Sequence, residues 1–548
     1  MLQSEGHAIL AVGSPTLSRR RISALIALQL GVVAVVLAST PFKPFELDRF
    51  FLPKELALHA AVLLCVALCI GGWRTVSLDR VDLFLLGYGG LSLMSAVLAA
   101  NDWLSMRSVA ITISGLAAFW CARAVASDGF KRPLMATVVL ATVLGAATSL
   151  AQAYGWQSDY LTLSRAPGGT FGNRNFVAHV SAIGVPLLIW YAITARRAIA
   201  VLLCAAGGGI LAAALVMSRS RAAWLALLVA AVLLAVPIWR AAHRVPHADA
   251  GKRLLLLGIV AVVGAVLSLA LPNRLNWNSE SPYLDSVRGV VAYSSGSGRG
   301  RLIQYRNSLH MAEAHPVLGV GPGNWPVYYP RFASRNDPSL SHDDDTTANP
   351  WPSSDWVALV AERGALAVIA LVLAFVGMIA NAFQASRGSS ANNPAARDPF
   401  LPVAIAATLL VTATVGAFDA VMVLAAPTLI VWTALGAMSA GGRARSEWTP
   451  SGGKRRTASI LLLGMFTLFT IRSVGQTLAM QAFGSGAQLG HVERAALLDP
   501  GSYRIQLRLA VLAMNSSGCA LALPHARKAS EMFPSATAAR SIVRHCRS

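Results

Sequence analysis

Charge is scarce in this sequence, and acidic charge is scarcest. Of 548 residues only 13% are Asp, Glu, Lys or Arg, and 25 acidic side chains face 46 basic ones. Soluble domains carry about a quarter charged residues, so a soluble fold is excluded as the main architecture. Cysteine is sparse too: six are present, with no CxxC pair to offer a metal or dithiol site. Cys65, Cys69, Cys121 and Cys204 lie inside apolar runs, where a thiol is ordinarily a small hydrophobe. Cys519 and Cys546 fall in a polar C-terminal segment, where an oxidising compartment would let them pair. A cleavable signal is also missing. The first apolar run follows Ser18-Arg19-Arg20-Arg21 without a small-residue cleavage site and reads as a retained anchor.

What the chain has instead is long apolar runs. Hydrophobic residues make up 55% and the mean hydropathy is +0.56. Segments near 22–38, 56–73, 81–99, 106–126, 133–152, 176–194, 198–217, 221–239, 253–271, 356–383, 400–417, 421–439 and 457–475 can each cross a bilayer core as a helix. Barrel strands would show about ten residues of alternating polarity, which these runs do not. The expected fold is all-α, a polytopic transmembrane bundle of about 12 or 13 helices.

The net charge of +21 would point to nucleic acid in a soluble protein. Here the basic residues cluster in short loops between apolar runs, with no aromatic-basic stripe, so nucleic acid is not an expected partner. Lys and Arg stay on the cytoplasmic side of short loops. With a cytoplasmic N-terminus (1–21), the inside loops hold Arg74, Arg80, Arg123, Lys131, Arg132, Arg196, Arg197, Arg240 and Arg253, among others. The outside loops hold fewer, such as Lys43, Arg107, Arg165, Arg174, Arg219 and Arg221. This threading gives nine helices over 22–271, a large periplasmic loop at 272–355, further helices over 356–475 and a periplasmic tail at 486–548. The tail has Pro500 and Pro534 at the 34-residue spacing of a tetratricopeptide unit, with Ala510, Ala522 and Ala529 at small-residue positions between them. One repeat-like unit, or a plain helical hairpin, fits that pattern. A single unit cannot bury its own face, so it must pack on something.

Three polar clusters fall on the expected periplasmic side. In Ser218-Arg219-Ser220-Arg221-Ala222-Ala223-Trp224 two arginines sit at an outer helix junction, against the charge rule. Arginine at the membrane rim is costly without a partner, although snorkelling is the ordinary alternative. The second cluster holds Arg299, Arg301 and Tyr305, with Arg301 and Tyr305 one helical turn apart, followed by Gly319, Gly321 and Asn324 in a glycine-rich turn. That turn matches neither the P-loop nor the dinucleotide fingerprint. The third, Ser353-Ser354-Asp355-Trp356 with Glu362 beyond, opens the next helix, where Ser and Asp also serve as caps. Between the last two lies His342-Asp343-Asp344-Asp345, either a divalent-ion site or a solvated acidic turn.

The ordered set resembles the O-antigen ligase and polymerase superfamily. It comprises Ser220-Arg221 ahead of Trp224, Arg301 with Tyr305, Pro316 with Gly319 and Gly321, and Asp355-Trp356 with Glu362 and Gly364, and it spans about residues 165–440 together with the upstream Gly169-Thr170-Phe171-Gly172-Asn173-Arg174-Asn175. The resemblance implies an inner-membrane, multi-pass glycosyltransferase with a periplasmic active face and, in some members, a tetratricopeptide tail. It implies an undecaprenyl-pyrophosphate-linked glycan as donor. The acceptor would be lipid A core, another glycan or a protein hydroxyl, the tail hinting at a protein partner. The family's arginines fall on Arg221 and Arg301, with Arg219 and Arg299 beside them; its His-Asn pair falls on Ser353-Ser354, so that histidine is absent here.

Chemistry outside the cytoplasm supports the same expectation. Without nucleotide sugars, a donor must bring its activation in a lipid-linked pyrophosphate, whose oxygens suit arginine forks. Charge growing on the departing pyrophosphate is stabilised by preorganised cations, and no protonating acid, cofactor or metal is required. The acceptor hydroxyl then needs a base, for which Asp355 is the first choice and His342 the second. Direct displacement inverts the anomeric centre. Tyr305, Gly319, Gly321, Asn324 and Glu362 would line the substrate loop. Two other classes remain open: a transporter or flippase for a polyprenyl-linked or anionic solute, against which the clean apolar runs argue, and a non-catalytic scaffold displaying the tail.

Overall fold

The computed structural model describes residues 15–70, 76–161, 165–243, 248–277, 281–288, 296–341, 343–388, 398–440, 446–486 and 488–548. It is an all-α bundle. The first nine apolar helices are α1 (Pro15–Leu37), α2 (Asp48–Cys69), α3 (Arg80–Ala96), α4 (Asp102–Val125), α5 (Lys131–Ala153), α6 (Arg174–Ile193), α7 (Ala198–Ser218), α8 (Arg221–His243) and α9 (Ala248–Ala270). A long connection follows, holding α10 (Pro282–Arg288), α11 (Gly296–Ala314) and the short α12 (Trp325–Tyr328). The bundle resumes with α13 (Asp355–Gly388), α14 (Leu401–Gly416), α15 (Ala425–Met438) and α16 (Gly452–Gly484). Four tail helices end the chain: α17 (Leu489–Leu498), α18 (Tyr503–Ser517), α19 (Cys519–Met532) and α20 (Thr537–His545).

Among the described residues nine helical segments are long and apolar enough to cross a membrane, and one of them, Asp102–Ala153, contains both α4 and α5. Every apolar run read from the sequence carries a helix. α16 outruns its expected end at 475 because Ala479, Met480 and Phe483 continue the helical apolar spacing; they pack with Phe45, Val492, Ile505 and Leu509 in a second core beneath the tail.

Helices approach closely where side chains are smallest. A Cβ on Gly264 of α9 would lie 2.3 Å from the Gly209 carbonyl oxygen of α7, and one on Gly436 of α15 would lie 2.2 Å from that of Phe119 on α4. Lipid supplies no hydrophobic force between helices, so such contacts carry much of the association. Leu228, Val232, Leu233 and Val236 of α8 and Val262, Val263 and Val266 of α9 stay exposed, forming an apolar outer surface suited to lipid. With the membrane-length segments, this fits a multi-pass membrane protein.

The connections gather at two ends. At one, the strand end, β1 (Val76–Leu78) pairs antiparallel with β2 (Ser446–Trp448). The other, the loop end, is stitched together across distant segments. Asn101 N–H donates to Asn324 Oδ1 at 2.8 Å, Trp103 Nε1 to Asp499 Oδ1 at 2.8 Å, and Tyr305 Oη to the Ala417 carbonyl at 3.0 Å. The tail lies over this end. Asp344 accepts from the Tyr503 hydroxyl and, at 2.7 Å, from Ala538 N–H, so one carboxylate of the acidic turn serves as a docking post. Cys519 and Cys546 form a disulfide between α19 and the end of α20.

Candidate active site

The loop-end site is built around the N-terminus of α6. The segment before it is bolted down by its own polar atoms: Gly169 N–H donates to Gln152 Oε1 at 2.8 Å, Ser149 Oγ to the Pro167 carbonyl at 2.6 Å, and Thr170 Oγ1 to the Val36 carbonyl at 2.7 Å. Asn173 then caps α6, its side chain accepting from Asn175 N–H at 3.0 Å. The consequence is a fixed position for Arg174, the first residue of the helix.

Arg219 ends α7 in the left-handed region, with φ 55°, a conformation that costs a non-glycine residue about 1–3 kcal/mol and persists only where the surroundings impose it. What imposes it here is a set of local bonds. Trp224 Nε1 donates to the Leu215 carbonyl and Ser218 Oγ does the same, both at 2.9 Å. The turned-out Arg219 gives its Nε to Ser286 Oγ at 2.9 Å and lies 4.5 Å from the centre of the Trp277 ring. Arg174 lies 4.9 Å from the same ring. The indole is thus shared by two guanidinium groups, each held by attraction to the ring face.

Arg221 opens α8 and Arg174 opens α6. Helix N-termini carry partial positive charge and favour anions, by about 0.3–1 kcal/mol each when exposed. The fold therefore puts cations where a helix disfavours them. Burial pulls the Arg219 guanidinium below its usual value, with Tyr283 and Asp285 opposing and the Arg221 charge adding to the effect. Among the described residues no ion pair holds Arg174, Arg219 or Arg301. An anion in this region would meet arginines and helix N-termini together.

Arg301 approaches α6 from the long connection. It sits half-buried on α11, and its field, with that of Asp419, acts on His179, one turn beyond Phe176. Tyr305, one turn along α11, donates to the Ser353 carbonyl at 2.6 Å and so ties Arg301 to the start of α13 and the turn after α14. Arg299 is exposed, and a two-residue offset places it on the opposite side of α11 from Arg301. His342 lies outside the described residues.

The glycine-rich turn is filled by protein. Glu362, buried, accepts from Gly323 N–H at 2.8 Å and Trp325 N–H at 3.2 Å, while its carbonyl accepts from Gly321 N–H at 2.9 Å. Gly319, Gly321 and Gly323 all have positive φ, and a Cβ on Gly321 would stand 2.6 Å from that of Ala99. Asn324 bonds to Asn101 in both directions. The turn thus joins α13 to the start of α4, and the N–H groups of Gly321, Gly323 and Trp325 are committed within the fold.

Asp355 is 3% exposed, and its two oxygens accept from Val421 N–H at 2.9 Å and Met422 N–H at 2.7 Å. It fixes the turn that presents Asp419, whose half-buried carboxylate accepts from its own neighbour, Ala420 N–H, at 2.9 Å. His179 is 1% exposed, and neither ring nitrogen has a partner among the described residues. Sequence reading missed both residues: Asp419 lies in the short gap between two apolar runs, and His179 sits within an apolar run with no local signal.

No curated protein matches the chain. Residues 206–372, from α7 through the long connection into α13, match the family model described as O-antigen ligase. That stretch holds Arg219, Arg221, Arg299, Arg301, Tyr305, Asp355 and Glu362, and the match supports the resemblance to the O-antigen ligase and polymerase superfamily of glycosyltransferases in polysaccharide biosynthesis.

Proposed function

We propose that the protein transfers a glycan from undecaprenyl pyrophosphate to an acceptor hydroxyl at the periplasmic face of the inner membrane. The observation that carries this reading is the gathering of Arg174, Arg219 and Arg221 at the starts of α6 and α8, with Arg301 facing α6 from α11. The sidedness rests on the Lys and Arg distribution between loops.

In this mechanism the arginines grip the diphosphate oxygens at the membrane rim. As the bond between sugar C1 and the phosphate oxygen breaks, its electron pair stays on the pyrophosphate. The cations stabilise that growing charge more than the ground state, which is what accelerates the step. The acceptor oxygen attacks C1 from the opposite side and inverts it, giving its proton to a base. No metal is needed for this charge balance.

For the base we assign Asp419, with His179 behind it, and give Asp355 the task of positioning the Asp419 turn. Both Asp355 oxygens are occupied by backbone donors, whereas neither His179 ring nitrogen has a hydrogen-bond partner among the described residues and Asp419 acts on the ring. A buried unpartnered polar group costs about 1–3 kcal/mol, a cost more often met at working sites than in plain cores. Tyr305, Glu362, Asn324 and the glycines hold the frame. The tail, in which Ala510, Ala522 and Ala529 are buried, is read as a tetratricopeptide-like unit helping to place the acceptor, be it lipid A core, glycan or protein.

The test is reconstitution in nanodiscs with an undecaprenyl-pyrophosphate glycan and each acceptor class. Transfer by wild type that is lost in Arg221→Ala and Arg301→Ala supports the reading. Carrier crossing without bond cleavage would make the protein a flippase, and transfer unchanged in both variants would remove the site.

A further inference from the structure

At the strand end, far from the arginines, three cysteines that are dispersed in sequence come together. Cys65 and Cys69 lie one turn apart near the end of α2, and Cys121 lies near the end of α4. Their Sγ atoms all lie within 4.8 Å of one another, and those of Cys65 and Cys69 are 3.9 Å apart. None is in a disulfide; Cys65 and Cys121 are buried and Cys69 is half-buried.

The spacing has a definite coordination meaning. An ion bonded at about 2.3 Å to three sulfurs in one plane holds those sulfurs about 4.0 Å apart. The 3.9 Å between Cys65 and Cys69 meets that requirement, and Cys121, within 4.8 Å of both, needs at most a side-chain adjustment. The donor set selects soft ions, because thiolates favour Cu(I) and Zn(II) while Mg(II) and Ca(II) require oxygen. Access is provided: Cys121 lines a cavity of about 780 Å³, with Asp79, Trp120 and Arg455 on its walls. Positive charge is at hand to offset a thiolate, since the field of Arg21 acts on Cys69. Cys204, on α7, lies outside the cluster and serves as an internal control.

We propose that Cys65, Cys69 and Cys121 form a thiolate site for a soft d10 cation of the Cu(I), Zn(II) or Cd(II) class, clamping α2 to α4. Each thiol exchanges its proton for a sulfur–metal bond, the protons pass to water in the cavity, and no oxidation state changes. The site stands independently of the transferase reading.

The experiment uses the full-length protein in detergent, purified under argon with its tail disulfide intact and titrated with Cd(II). One equivalent should bind with an ultraviolet sulfur-to-metal band and a cadmium NMR shift of a sulfur-rich site. Cys121→Ser should weaken binding at least tenfold, Cys65→Ser with Cys69→Ser should abolish it, and Cys204→Ser should leave it unchanged. Should a variant aggregate, maleimide labelling of the wild type decides the matter: bound Cd(II) should protect the three cysteines and leave Cys204 as it was. Absence of a saturable equivalent, equal binding by folded Cys121→Ser, or equal protection of Cys204 would overturn the site.

Discussion

Two sets of arginines in this bundle live under opposite rules. Arg107 is gripped by Glu55, its Nε at 2.9 and 3.0 Å from the two carboxylate oxygens and its Nη2 at 2.7 Å from one, with Asp48 at 3.0 Å. Arg123 is likewise held by Asp82 at 2.7 Å. Arg174 and Arg219 have an aromatic ring between them instead of a carboxylate, and both Arg174 and Arg221 stand at helix starts. A cation that serves the fold brings its counterion with it; Arg174 and Arg219, which have no ion pair among the described residues, are the ones proposed to meet an anion.

The contrast can be broken from either side. The largest effect is expected at the paired set. Glu55→Ala leaves the half-buried Arg107 charge with Asp48 alone and should cost about 3 kcal/mol of stability, read as a fall in thermal midpoint and folded yield in detergent. Next comes Arg301→Ala, which should lower transfer about 100- to 1000-fold while the thermal midpoint holds, with Arg301→Lys only partly restoring the rate because the fork is lost. An Arg301→Ala protein that unfolds like Glu55→Ala would put Arg301 in the structural class. Asp355→Asn replaces one acceptor oxygen by an amide facing a backbone donor and should cost about 1–3 kcal/mol, appearing as slower transfer with little change in donor affinity. The smallest effect is expected at the tail: Asp344→Ala removes the side-chain acceptor for Tyr503 and Ala538, so hydrogen exchange should rise in α18 and α20 while the bundle stays protected.

Much of the fold was legible because lipid imposes a single rule on long segments: a run of apolar residues has to be a helix. Loops obey no such rule. The Gly319 to Asn324 turn reads in sequence as part of a substrate loop, and in the fold Glu362, nearly 40 residues on, takes its Gly323 and Trp325 N–H groups. Asp355 reads as a base, and its partners Val421 and Met422 lie across α13 and α14. The cysteine triad was illegible for the same reason, since Cys121 joins Cys65 and Cys69 only through the packing of α4 on α2. The arginines could be picked out in sequence as candidates because their signal is electrostatic: positive charge in short loops where the charge rule leads one to expect little.

The central claim is that guanidinium groups around the start of α6 bind a diphosphate. Equilibrium binding of undecaprenyl pyrophosphate to the protein in nanodiscs tests it most directly. Affinity should fall at least tenfold in Arg221→Ala and again in Arg301→Ala, further still in the double variant, and remain at the wild-type level in Arg123→Ala that stays folded. Equal affinity in wild type and the double variant would contradict the account.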